Sequence, residues 1–76
     1  MPRLPVVSGE ETVRTLCRAG FVFSRQSGSH VVLFHAESAR SVSVPVHSGR
    51  DLPRGTLRKI LRTAGLTAAQ FRDLLR

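Results

Sequence analysis

The chain has 76 residues, with twelve Lys or Arg against five Asp or Glu, a formal charge of +7 and neither Trp nor Tyr. A domain of this length buries only about 60% of the surface its unfolded chain exposes and seldom gains more than roughly 3–5 kcal/mol from its core, which argues against a deep cavity for a large cofactor. The charge favours polyanionic partners, nucleic acid first and an acidic protein second, while the absence of a span-length apolar run, or of an apolar signal stretch between Met1 and Gly9, predicts a soluble, cytoplasmic protein with no membrane partner.

The first element begins at Ser8. Ser8 and Glu11 have the S-x-x-E spacing of a capping box, and a helix is predicted from about Gly9 to Ala19, with Val13, Leu16 and Cys17 on its buried stripe and Gly20 as its stop. Cys17 is the single cysteine, so it forms no internal disulfide, and it reads as a small core residue in a reducing compartment. Phe21 to Gln26 is predicted as a strand, Ser27-Gly28 as a turn and Ser29 to His35 as the partner strand of a hairpin. After the polar loop Ala36 to Arg40, Ser41 to Val46 alternates serine with valine, the pattern of a strand with one face on a core and one in water. Phe23 and Phe34 are residues more often found in a core than as base-stacking platforms, but either is also a candidate for the open sheet face, since alternation alone leaves the buried side of the second strand open.

Pro45 to Gly55 carries two Pro and two Gly and reads as an ordered loop before a second helix that starts between Pro53 and Thr56. Leu57, Ile60, Leu61 and Ala64 form its buried stripe, and Gly65 ends it. Thr67 and Gln70 form another capping box, opening a short third helix whose apolar face is Phe71, Leu74 and Leu75. The expected fold is α+β, in the order α-β-β-β-α(α), one domain over residues 1–76 with a three-stranded antiparallel sheet and the helices packed on one face.

Candidates for chemistry are few. His30 and His47 lie in the turn contexts Gly28-Ser29-His30 and His47-Ser48-Gly49, toward the same edge of the sheet if the second and third strands pair, whereas His35 ends a strand. Histidine as a residue type serves as acid or base near neutrality, so two of them at one edge suit a division of those roles; each is equally an ordinary solvated turn residue. Three separated histidines with few carboxylates do not assemble a metal set, and no Ser/His/Asp triad, phosphate loop or dinucleotide fingerprint is present, so neither metal nor cofactor is expected. Arg54, Arg58 and Arg62 are spaced by four and form one row on the second helix, with Lys59 beside it and Arg50 in the preceding loop. Such a row, free of interleaved acids, either grips a phosphate backbone or is merely a solvated face.

Taken together, Ala19-Gly20-Phe21, Arg25-Gln26-Ser27-Gly28-Ser29-His30, Val44-Pro45-Val46-His47-Ser48-Gly49, Gly55 to Arg62 and Ala64-Gly65-Leu66 resemble, in order and over nearly the whole chain, the HicA (YcfA-like) toxin family. The resemblance implies a fold similar to the double-stranded-RNA-binding domain, an mRNA interferase activity, neutralisation by a HicB-type antitoxin, and catalysis by the histidine of the Gly-Ser-His motif, here His30. The family often has a second histidine directly afterwards, where this chain has Val31. The resulting expectation is metal-independent cleavage of mRNA, with His30 drawing a proton from a ribose 2′-hydroxyl and His47 as candidate second acid or base. Ser29, Arg25, Arg50, Arg54, Arg58, Lys59 and Arg62 are the candidate phosphate contacts. The alternative is a non-catalytic module that binds double-stranded RNA, and a third reading makes the basic surface first an antitoxin-docking face.

Overall fold

A computed structural model describes residues 3–76 and gives six elements: α1 (Gly9–Arg18), β1 (Val22–Ser27), β2 (His30–His35), β3 (Arg40–Pro45), α2 (Arg54–Ala64) and α3 (Ala68–Leu75). Met1 and Pro2, the first residues of the stretch read for a signal peptide and of the expected 1–76 domain, lie outside the described residues. The strands form one antiparallel sheet in the order β1-β2-β3. This is the α+β arrangement expected from the sequence, with element boundaries shifted by about one residue.

The capping boxes explain where two helices start. Ser8 and Glu11 bond reciprocally, the Ser8 amide donating to Glu11 Oε1 at 2.9 Å and the Glu11 amide to Ser8 Oγ at 3.1 Å, and Thr67 and Gln70 do the same at α3 at 2.8 and 3.1 Å. Two otherwise unpaired amides are satisfied at each start. Gly65, with φ +78°, ends α2 in the left-handed conformation, and the Arg40 guanidinium donates to the Thr63 carbonyl beside it at 2.9 Å.

One face of the sheet supplies Val31, Leu33, Val42 and Val44 to a core closed by Leu16 of α1, Phe21, and Ile60 and Ala64 of α2. A second cluster joins Val7, Leu57, Leu61 and Phe71, so α3 is held against α2 and the segment before α1 by one buried ring. The opposite sheet face, with His30, Phe34, Ser41 and Ser43 exposed, carries no helix. Both α1 and α2 pack against β3, which leaves every residue of edge strand β1 exposed.

Two core assignments need correction. Cys17 is exposed, and the buried positions of α1 are Gly9, Thr12, Thr15 and Leu16, with Val13 only partly buried. Threonine enters the core here because each hydroxyl donates to the carbonyl four residues back, Thr12 to Ser8 at 2.9 Å and Thr15 to Glu11 at 2.7 Å, so its polar atom is satisfied within the helix. The helix is therefore rotated away from Cys17. Phe23 and Phe34 are 60% and 38% exposed rather than core, because Phe34 lies on the open face and Phe23, though opposite core-facing Leu33, sits on a strand beyond the reach of the helices.

Candidate functional site

The β1-β2 hairpin fixes the position of His30. Its two loop residues are Gly28 and Ser29, with Gly28 at φ +58°, a turn that needs glycine first; Ser27 and His30 then pair directly across it. On its other side His30 pairs with Pro45, the last residue of β3, and the Val46 amide donates to the Ser29 carbonyl at 2.7 Å. The helix side of this junction is equally close. A Cβ on Gly9, at the start of α1, would stand 2.3 Å from the Pro45 carbonyl oxygen, so only glycine lets α1 approach the end of β3.

His30 is exposed and lines a cleft of about 450 Å³ between the outer edge of β3 and α2. Ser43 and Pro45 continue the sheet wall; Thr56, Lys59 and Thr63 form the helix wall, and core residues Val42 and Ile60 close the floor. At 100° per residue, Thr56, Lys59 and Thr63 share one flank of α2, beside the buried stripe of Leu57, Ile60, Leu61 and Ala64. The cleft thus joins a histidine to the chain's only lysine, with three hydroxyls around them. Ser43, Thr56 and Thr63 were not singled out from the sequence. Their signal was periodicity: the two threonines flank Lys59 at three- and four-residue spacing.

Arg25 reaches the His30 face through an irregularity. The ladder pairs Phe23 with Leu33 and Arg25 with Val32, leaving Ser24 as a bulge, so Arg25 shares the open face with Val32 and His30 instead of following Phe23 to the helix side. Ser29 lies in the turn itself, half-buried. His47 and Arg50 border a smaller neighbouring groove of about 280 Å³, which shares Pro45 and Thr56 with the His30 cleft. Their own turn is closed by the Arg50 amide donating to the His47 carbonyl at 3.0 Å, with Gly49 at φ +74°.

The arginine row is not part of this arrangement. Arg54, Arg58 and Arg62 occupy the other flank of α2, where they line a groove of about 580 Å³ together with Arg3, Leu4, Leu61, Leu66 and Ala68. Arg58 and Lys59 are sequence neighbours on opposite flanks of the helix. His35 lies apart from both sites: its ring packs on Phe21 at 5.0 Å, and its Nδ1 accepts the Ser38 amide at 3.2 Å and lies 2.9 Å from the Ser38 hydroxyl. Among the described residues no three His, Cys, Asp or Glu side chains are gathered in metal-binding geometry, and no helix is long and apolar enough to cross a membrane.

Comparison with known proteins gives one finding. Residues 9–66 match the family model described as the HicA toxin of bacterial toxin-antitoxin systems, a span that contains all of α1, the sheet, α2 and both histidine-bearing turns. No curated protein matches the chain.

Proposed function

The chain belongs to the HicA toxin family of bacterial toxin-antitoxin systems, and from that premise we propose that it acts in the cytoplasm as an mRNA interferase, with His30 as its catalytic base, and is neutralised by a HicB-type antitoxin. The observation that carries this reading is the shared cleft of His30 and Lys59. An exposed histidine beside a cation, on the border of sheet and helix, suits proton transfer at a phosphodiester.

In the proposed reaction His30 takes the proton of a ribose 2′-hydroxyl as that oxygen attacks the adjacent phosphorus. The bond from phosphorus to the 5′-oxygen breaks, giving a 2′,3′-cyclic phosphate and a 5′-hydroxyl that must gain one proton. Lys59 offsets the negative charge that builds on the non-bridging oxygens, and the hydroxyls of Ser43 and Thr56 supply hydrogen bonds there, that of Thr63 donating instead to the Lys59 carbonyl at 3.0 Å. Ser29 and the turn amides hold the same phosphate. Arg25 and Arg50, on either side, contact the flanking phosphates, and His47 donates a proton of its own to the leaving oxygen while His30 keeps the one it took. The nucleophile belongs to the RNA itself, so the residues named handle every proton and charge without metal or cofactor.

The test is cleavage of an RNA oligonucleotide and of the same oligonucleotide with 2′-deoxy sugar at the cut site. Cleavage of the first alone, abolished by His30→Ala with the melting temperature unchanged, is the expected result. Equal binding of both without cleavage would leave the double-stranded-RNA-binding module in its place. Unfolding of the His30→Ala variant would make His30 structural.

A further inference from the structure

A groove of about 580 Å³ lies on the side of α2 away from His30, and neither wall contains an acidic residue. Its rim carries four arginines, Arg3, Arg54, Arg58 and Arg62, and its floor is leucine: Leu4, Leu61 and Leu66. Arg18 and Arg40 are engaged elsewhere, donating to the Leu74 and Thr63 carbonyls at 2.7 and 2.9 Å, whereas Arg54, Arg58 and Arg62 form no side-chain hydrogen bond with another described residue. A third of the chain's twelve basic side chains therefore surround an apolar floor without local counter-charges.

We propose that this groove binds an acidic, leucine-bearing segment of the antitoxin, separate from whatever covers the His30 cleft; the proposal rests on the toxin-antitoxin membership and not on the RNA-cleavage reading. Charge complementarity selects an anionic occupant, and the floor selects among anions. A sugar-phosphate backbone has no apolar group to set against Leu4 and Leu66, while an amphipathic peptide seats leucines there and meets the rim with carboxylates. Arginine suits that rim, since its planar fork takes a carboxylate in two parallel hydrogen bonds and is more weakly hydrated than an ammonium. The two flanks of α2 then divide the work, with Lys59 facing the substrate cleft and the arginine row facing the inhibitor.

The test titrates isotope-labelled protein, as the His30→Ala variant, with two probes followed by amide chemical shifts. The first is a short helical peptide with leucines at three- and four-residue spacing flanked by glutamates; the second is a single-stranded RNA oligonucleotide. The expected result is that the peptide shifts the amides of Leu4, Arg58, Leu61, Arg62 and Leu66 to Ala68, and that RNA shifts those of Ser29 to Val31 and Ser43. Binding of the peptide should weaken at least ten-fold in an Arg58→Ala/Arg62→Ala variant of unchanged melting temperature, and comparably when serine replaces its leucines or glutamine its glutamates. Shifts of the groove amides by RNA would make the groove a nucleic-acid site and overturn the proposal. So would peptide affinity indifferent to the double variant or to the leucines. The RNA arm reads the His30 cleft independently, so either proposal can fail without the other.

Discussion

His30, the first residue of β2, and Lys59, in the middle of α2, line the sheet wall and the helix wall of the same cleft, although the intervening chain contains all of β3 and the loop before α2. If Lys59 offsets charge on the reacting phosphate, Lys59→Ala should lower the cleavage rate by about 10²-fold, the scale of removing one donor aimed at developing negative charge. Because Lys59 is exposed, the melting temperature should stay within a degree or two. Lys59→Arg should recover part of the loss. Equal rates for Lys59→Ala and the parent protein would remove Lys59 from the mechanism.

Gly9 faces the Pro45 carbonyl and the Val46 Cα, where a methyl group would stand 2.3 and 2.9 Å away, and both atoms are backbone. Gly9→Ala must push α1 away from β3 or move Pro45, at a cost of about 1–3 kcal/mol, as for overpacking elsewhere. In a domain of this size that lowers the melting temperature by roughly 4 °C or more. Pro45 is the cross-strand partner of His30, so cleavage at a temperature where the variant is still folded should fall as well. A stable variant with full activity would show that this contact relaxes freely.

The end of α2 offers a coupled pair. Arg40 donates to the Thr63 carbonyl, and a Cβ on Gly65 would meet the Arg40 guanidinium at 3.0 to 3.3 Å. Arg40→Ala should cost about 0.3–1 kcal/mol through loss of a cation at the helix C-terminus, and Gly65→Ala roughly 1–2 kcal/mol because alanine is strained at φ +78°. Combining the two should cost less than the sum, since removing the guanidinium gives the new methyl group room. Denaturant unfolding of the two single variants and the double variant measures the coupling. Strict additivity would mean that Arg40 swings aside without losing its hydrogen bond.

Much of this architecture is legible in the sequence because local chemistry and tertiary packing agree. Ser8 with Glu11, Thr67 with Gln70, the valine alternation of β3 and the stripe from Leu57 to Ala64 each have a local cause that the fold preserves. Cys17 misleads because hydropathy ranks cysteine above threonine, whereas the helix satisfies a threonine hydroxyl internally and so admits Thr12 and Thr15 to the core. The bulge at Ser24 also leaves no periodic trace. A regular ladder would send Arg25 to the helix side with Phe23. The separation of Lys59 from Arg58 was available from helical geometry, but which flank faces His30 depends on how β3 meets α2, a long-range contact without a local signal.

Thr15→Val replaces a buried hydroxyl by a methyl group of similar volume, and the Glu11 carbonyl it contacted keeps its place in the helix. The change should therefore be small, within about 1 kcal/mol, whereas Thr15→Asp, which buries a charge, should unfold the domain. Cys17→Ser, on the exposed side of the same helix, should leave the melting temperature unchanged. A large loss for Thr15→Val would show that its hydroxyl contributes more than self-satisfaction.

The last proton separates the roles of His47 and Lys59. His47 borders the groove next to the His30 cleft, and the two share Pro45 and Thr56. An RNA substrate with sulfur in place of the bridging 5′-oxygen has a leaving group that departs without protonation. If His47 supplies the proton, His47→Ala should cleave ordinary RNA at least ten-fold more slowly than the parent and recover most of that loss on the sulfur substrate. Lys59→Ala should remain slow on both, because charge on the non-bridging oxygens builds whichever atom leaves. Rescue of Lys59→Ala instead would transfer the acid role to the lysine and leave His47 as a loop residue; rescue of neither would point to water as the acid.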